Sequence, residues 1–198
     1  MNSTISLQYF ENEVGKYFEK AIPGCSIFAP MSSNEKGIDL MIYRFENGQN
    51  NTVSIQVKSS RLYENHTKKS KRKVVYKNTT PYPMQSMWFN RFEPGENAEW
   101  FIIGSEFYKH TKEPNKCGMN DIKKDIILLA FTKDEMRDFM ENRVRLVKDP
   151  SKKDRMYAFI FDENKNIWQT RGFQEGQDQD CSKYLIENRI DEIIASMH

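Results

Sequence analysis

The chain has little of what would tie it to several large protein classes. Cysteine is scarce: Cys25, Cys117 and Cys181 are odd in number and far apart along 198 residues. That spacing suggests neither a disulfide framework nor a zinc cluster, and it suits buried or inert thiols in a reducing cytoplasm. The three histidines, His66, His110 and His198, lack ligand spacing with the cysteines and are assigned no role. No apolar run approaches the roughly 18 residues expected of a membrane span. Met1 to Ser6 is polar, so no signal peptide is expected and a cytoplasmic, membrane-free setting is. Repeats, low-complexity tracts, a glycine-rich phosphate loop and a Ser/His/Asp arrangement are also missing. What remains is 38% hydrophobic and 29% charged, long enough for one domain with a proper core over residues 1–198.

The most informative segment present runs from Gly37 to Lys58. Asp39 to Phe45 and Thr52 to Ser59 are rich in β-branched and aromatic residues, and Glu46-Asn47-Gly48-Gln49 holds the Asn-Gly pair that two-residue turns prefer. The segment reads as a β-hairpin. If Asn47 and Gly48 form the turn, Asp39 lies opposite Gln56, Leu40 opposite Ile55, and Ile42 opposite Val53; a loop two residues longer places Asp39 opposite Lys58. In both registers Leu40, Ile42, Val53, Ile55 and Val57 share one face, leaving Asp39, Gln56 and Lys58 on the other. Directly opposed Cβ atoms are about 4.5–5.5 Å apart, near enough to share a cation.

A carboxylate and an amide carbonyl are hard oxygen ligands that suit magnesium, which keeps waters and phosphate oxygens in its other positions. Lys58, two residues beyond Gln56, would face the same ion and offset negative charge building on a phosphorus. The ordinary alternative is a solvated hairpin with an Asp39–Lys58 ion pair, worth little in energy. Upstream, Leu7, Phe10, Val14, Phe18 and Ala21 recur at spacings of three and four. They predict an amphipathic helix from about Ser6 to Ile22, ending before Pro23-Gly24. At 3.6 residues per turn, Glu11 falls beside Phe18 at the border of the apolar stripe, either a plain flanking residue or a carboxylate that can look into a site across the sheet.

The set Phe10-Glu11 with Val14, then Gly37-Ile38-Asp39, then Ile55-Gln56-Val57-Lys58, resembles the PD-(D/E)XK nuclease superfamily. The resemblance covers the first sixty residues well and the later strands only in general order. It implies a restriction-endonuclease-like α/β fold with a mixed central sheet flanked by helices. It also implies Glu11, Asp39 and Gln56 as ligands of magnesium, with manganese as a substitute, and Lys58 as the group assisting an attacking water. Ile38 stands where the family has proline, and Gln56 where it usually has an acid. The expected activity is hydrolysis of double-stranded DNA in a restriction or defence setting, with a homodimer by analogy. The alternative is a member that has lost cleavage and serves as a DNA-binding or protein-interaction module.

Charge is unevenly distributed. Arg61, Lys68, Lys69, Lys71, Arg72, Lys73 and Lys77 face one acid, Glu64, between positions 61 and 77. Such a run is either a solvated loop or a grip on phosphates that reads no sequence. Thr79-Thr80-Pro81-Tyr82-Pro83 then reads as a stiff connector, followed by a short helix carrying Met84, Met87, Trp88 and Phe92. Trp88 and Arg91 either contact nucleic acid or, as aromatic helical spacing more often means, pack on the core. Residues 61–97 are therefore a candidate nucleic-acid-contacting insertion. Beyond them, 100–103 and 126–131 read as strands covered on both faces, with polar loop from Lys109 to Lys124. Thr132 with Glu135 marks a capping box for a helix bearing Met136, Phe139 and Met140. Tyr157 to Phe161 and Ile167 to Thr170 read as a second hairpin. A closing helix from about Ser182 carries Ile186, Ile190, Ile193, Ile194 and Met197.

Overall fold

The computed structural model describes residues 4–30, 37–64, 78–113, 116–144, 156–173 and 179–198. The chain begins with helix α1 (Thr4–Ala21), whose apolar stripe of Phe10, Val14 and Phe18 is buried. It ends at Pro23-Gly24, where Gly24 turns the backbone to φ +76°, a conformation that glycine adopts without a Cβ penalty. Strands β1 (Cys25–Phe28), β2 (Leu40–Glu46) and β3 (Gln49–Ser59) follow as an antiparallel meander. The β2–β3 turn has φ +54° at Asn47 and +80° at Gly48, the two positive values a two-residue turn needs. Register follows from it: Leu40 pairs with Ile55, and Ile42 with Val53. The shorter of the two expected loops is the one formed.

After β4 (Leu62–Glu64) and β5 (Gln85–Asn90), the chain returns as β6 (Trp100–His110), which runs parallel to β3. Strand β7 (Ile122–Thr132) pairs antiparallel with β6 and completes a five-stranded mixed sheet ordered β1-β2-β3-β6-β7. Strands β8 (Met156–Phe161) and β9 (Ile167–Arg171) join β4 and β5 in a second, four-stranded sheet ordered β4-β5-β8-β9. Helix α2 (Lys133–Asp138) and helix α3 (Ile190–Ala195) are each short. The protein is thus mixed α/β with two sheets and few helices.

Helices and the second sheet together cover the mixed sheet. Helix α1 packs on one face, made by Leu40, Ile42, Val53, Ile55 and Val57, through Phe10, Val14 and Phe18, whereas the second sheet and α2 close the other, with Phe159, Phe161 and Met136 clustering with Phe101, Ile103 and Phe131. Trp100 and Ile102 turn to the helix while Phe101 and Ile103 turn to the second sheet. That double burial explains the unbroken apolar runs of β6 and β7.

Several boundaries also move. The expected helix through Met84, Met87 and Trp88 is strand β5, because Met87 and Phe89 alternate into the core and β8 supplies a full antiparallel partner. Local spacing matched a helix; long-range pairing outweighed it. The expected loop from Lys109 to Lys124 shortens, since β6 runs to His110 and β7 starts at Ile122. The closing helix breaks into two single 3-10 turns, Ser182–Tyr184 and Ile186–Asn188, before α3. The capping box forms: Thr132 Oγ1 accepts from the Glu135 N–H at 3.2 Å, and the Thr132 N–H donates to Glu135 Oε2 at 2.9 Å. At the far end of β6, Glu163 is 4% exposed and accepts from the His110 N–H at 2.9 Å, with His110 Nδ1 2.5 Å from its other oxygen. Tyr82 stacks on that imidazole with centroids 3.6 Å apart. This lock fastens β6 to the β8–β9 turn, a position sequence spacing did not indicate.

Candidate active site

The site forms where β2 begins and β3 continues alone toward β6. The Asp39 N–H donates to the Ile55 carbonyl at 2.8 Å, so the ladder closes there. One step further, the Asp39 side chain takes over: its Oδ2 accepts from the Val57 N–H at 2.7 Å. A carboxylate replaces a backbone carbonyl as the strand's partner. That charge-assisted bond fixes the orientation of Asp39, and the carboxylate retains lone pairs for a second partner.

Gln56 and Lys58 lie on the face of β3 turned away from α1, as the alternation of Val53, Ile55 and Val57 into the helix core requires. Gln56 pairs in register with Phe101, and Lys58 with Ile103. The Gln56 side chain is 9% exposed, and its Oε1 is buried with no hydrogen-bond donor among the described residues. An orphaned acceptor of this kind costs about 1–3 kcal/mol. Its amide nitrogen lies against Gly37. Lys58 extends over the ring of Phe92, with Nζ 5.7 Å from the centroid. Asp39 and Lys58 therefore turn to Val57 and Phe92 rather than to the ordinary cross-strand ion pair.

Glu11 approaches from α1, at the border of the buried stripe and half-buried itself. Its carboxyl is held above the usual carboxylate range, first by burial and then by the Asp39 carboxylate, with the Lys58 ammonium pulling the other way. Those electrostatic partners place Glu11 in the company of Asp39 and Lys58. Glu13, which also lies on α1, instead pairs with Lys16 at 2.7 Å. Electrostatic influence thus links Glu11, Asp39 and Lys58, while Gln56 and Lys58 share one face of β3.

Would these groups suit a hard divalent cation? Two carboxylates that repel each other and a buried carbonyl oxygen lacking a donor form an oxygen-rich set with unspent acceptor capacity, the chemistry magnesium takes. These residue types suit such an ion, which Glu11, Asp39 and Gln56 would hold. Among the described residues no group of three His, Cys, Asp or Glu side chains meets around one point; the third member here is an amide.

The expected nucleic-acid contacts divide. Arg61 is exposed just beyond β3, whereas Lys68, Lys69, Lys71, Arg72, Lys73 and Lys77 lie outside the described residues. Trp88 sits on β5 facing away from Met87 and Phe89, half-buried, with the Arg171 guanidinium 5.2 Å from its ring and its indole N–H donating to Ser86 Oγ at 3.2 Å. It is engaged within the protein. Arg91 is half-buried at the start of the loop toward β6. Phe92, read from sequence only as part of a helix face, proves to be the neighbour of Lys58. No sequence signal could find that contact, since it joins residues 34 positions apart through two sheets. No helix among the described residues is long and apolar enough to cross a membrane. No protein-family model, no curated protein and no solved structure matches the chain.

Proposed function

We propose that the protein is a magnesium-dependent endonuclease that hydrolyses DNA phosphodiester bonds, with double-stranded DNA as substrate and restriction or defence as its setting. The observation that carries this reading is the buried, donorless Oε1 of Gln56, on the same face of β3 as Lys58 and next in sequence to the Val57 N–H that Asp39 accepts. Magnesium, when bound, polarises a phosphate oxygen and lowers the pKa of a water. Asp39, Glu11 and Gln56 would hold that ion, with Asp39 aligned by the Val57 N–H. The Lys58 ammonium faces the phosphoryl group and stabilises charge as it develops in the transition state. Manganese serves in place of magnesium.

The test is nicking of supercoiled plasmid with and without magnesium. The parent should nick only with the cation, and Asp39→Ala and Lys58→Ala should each abolish cutting while the far-ultraviolet spectrum stays that of the parent. If both variants cut as fast as the parent, the reading is wrong. Gln56→Glu adds a third carboxylate and should tighten magnesium binding by calorimetry; unchanged affinity would remove Gln56 from the ligand set.

Gln56 also supports a second reading. One charge fewer weakens metal affinity, which suits a nuclease-fold module that binds DNA or a protein without cutting it. DNA binding that persists in EDTA, with no nicking in magnesium or manganese, would select it.

A further inference from the structure

The geometry points to Phe92 as a positioning residue that holds the Lys58 ammonium at the candidate site, and this rests on the hydrolytic reading above. Lysine carries its charge on a flexible four-carbon stem, so a backbone position alone does not aim it. Here the aim comes from the loop between β5 and β6. The Phe92 ring lies 5.7 Å from Lys58 Nζ. It leans in turn on Phe101 at 6.2 Å between centroids, tilted by 33°. Phe101 is the register partner of Gln56, so the ring is braced by the same strand pair that sets the site.

The loop itself is anchored on both sides of the site. An added Cβ at Gly95 would lie 3.5 Å from the Gly37 Cα, so the loop passes in contact with the segment that leads into Asp39. Glu96, just beyond, pairs with Lys133 at 2.9 Å and with Arg137. Two side chains of α2 therefore fasten the loop that carries Phe92. A half-buried ammonium over an aromatic face gains from the ring's negative quadrupole, which a leucine of similar bulk does not offer. Phe92 touches no reacting atom; it acts through Lys58.

Two measurements on the full chain test this. In plasmid nicking with magnesium, Phe92→Leu should lower kcat about tenfold, the loss expected when a partly buried cation–π contact is removed. KM for plasmid should hold to within about twofold, because a contact felt only in the transition state leaves ground-state binding alone. Phe92→Trp, which restores a π face, should recover most of the rate. The second readout needs no cleavage. An amine-acylating reagent followed by mass spectrometry should label Lys58 several-fold faster in Phe92→Leu than in the parent or in Phe92→Trp, with exposed Lys109 and Lys123 as internal references. Equal Lys58 labelling in parent and leucine variant would overturn the assignment, as would a leucine variant that cuts like the parent. A parent that never nicks would sink the hydrolytic reading, while the labelling still decides whether Phe92 holds Lys58.

Discussion

The two faces of the five-stranded sheet are buried in different ways. Toward α1 the core is mostly aliphatic, with Val14, Leu40, Ile42, Val53, Ile55 and Val57 meeting a single amphipathic stripe. Toward the second sheet it is largely aromatic: Phe131 stacks on Tyr184 at 4.2 Å, Phe139 on Phe159 at 5.9 Å, and Phe89 on Tyr157 at 5.4 Å. The first core runs from α1 through β2, β3, β6 and β7 to α3, whereas the second joins β5 to β6–β9 and α2. The site with Asp39 lies at the start of β2, beside the β3 side chains that face away from α1. It borrows Glu11 from one side and Phe92 from the other. Such a site is precise only if both cores hold.

That contrast can be broken deliberately. Phe159→Ala removes a fully buried ring from the aromatic core and should cost about 3–5 kcal/mol in denaturant unfolding, whereas Ile55→Val on the opposite face should cost about 0.5–1.5 kcal/mol. Equal losses would mean that the aromatic core is loosely packed. Thr132→Ala removes the capping hydroxyl of α2 and should cost about 1 kcal/mol. Because α2 fastens Glu96, that variant should also slow nicking without changing DNA binding, and an unaffected rate would detach the loop from the site.

The smallest effect concerns pH. The folded-state pKa of Glu11 is raised, so its stabilising contribution is complete below the unfolded pKa and is lost as pH rises through the folded value. Glu11→Gln should therefore melt above the parent at pH 7, and the gap should close below about pH 4, where the glutamate is protonated in both states. Magnesium should raise the parent's melting temperature and raise it less in the variant, since a ligand that binds only the folded state stabilises by mass action. A variant that melts below the parent at pH 7 would show that Glu11 is satisfied by a contact other than Asp39 and Lys58.

How much was legible beforehand follows from the range of each interaction. The β2–β3 hairpin and its register came from Asn47-Gly48 and the alternation around it, and α2 came from Thr132 and Glu135, because turns and caps are settled within four residues. Strand β5 reads locally as a helix, since Met84, Met87 and Trp88 carry helical spacing and only the pairing with β8 reveals Met87 and Phe89 as an inward row. Strand β1 carries no local signal for a similar reason: Cys25–Phe28 is four residues long and is a strand only because Met41 to Arg44 lie beside it. At the site, Asp39, Gln56 and Lys58 were readable as one hairpin's polar face. The Asp39 bond to the Val57 N–H, the orphaned Gln56 oxygen and the ring beneath Lys58 were not.

The amino-acid order alone settled which side chains of the hairpin share a face, because alternation along a strand is a property of the backbone and the turn sets the phase. It settled the apolar stripe of α1 for the same reason. Tertiary structure decided that a second sheet shares with α2 the closing of the other face, and that the Asp39 and Lys58 charges act on Glu11. Those outcomes depend on segments far apart in sequence meeting across a core, where burial and long-range pairing outweigh local preference.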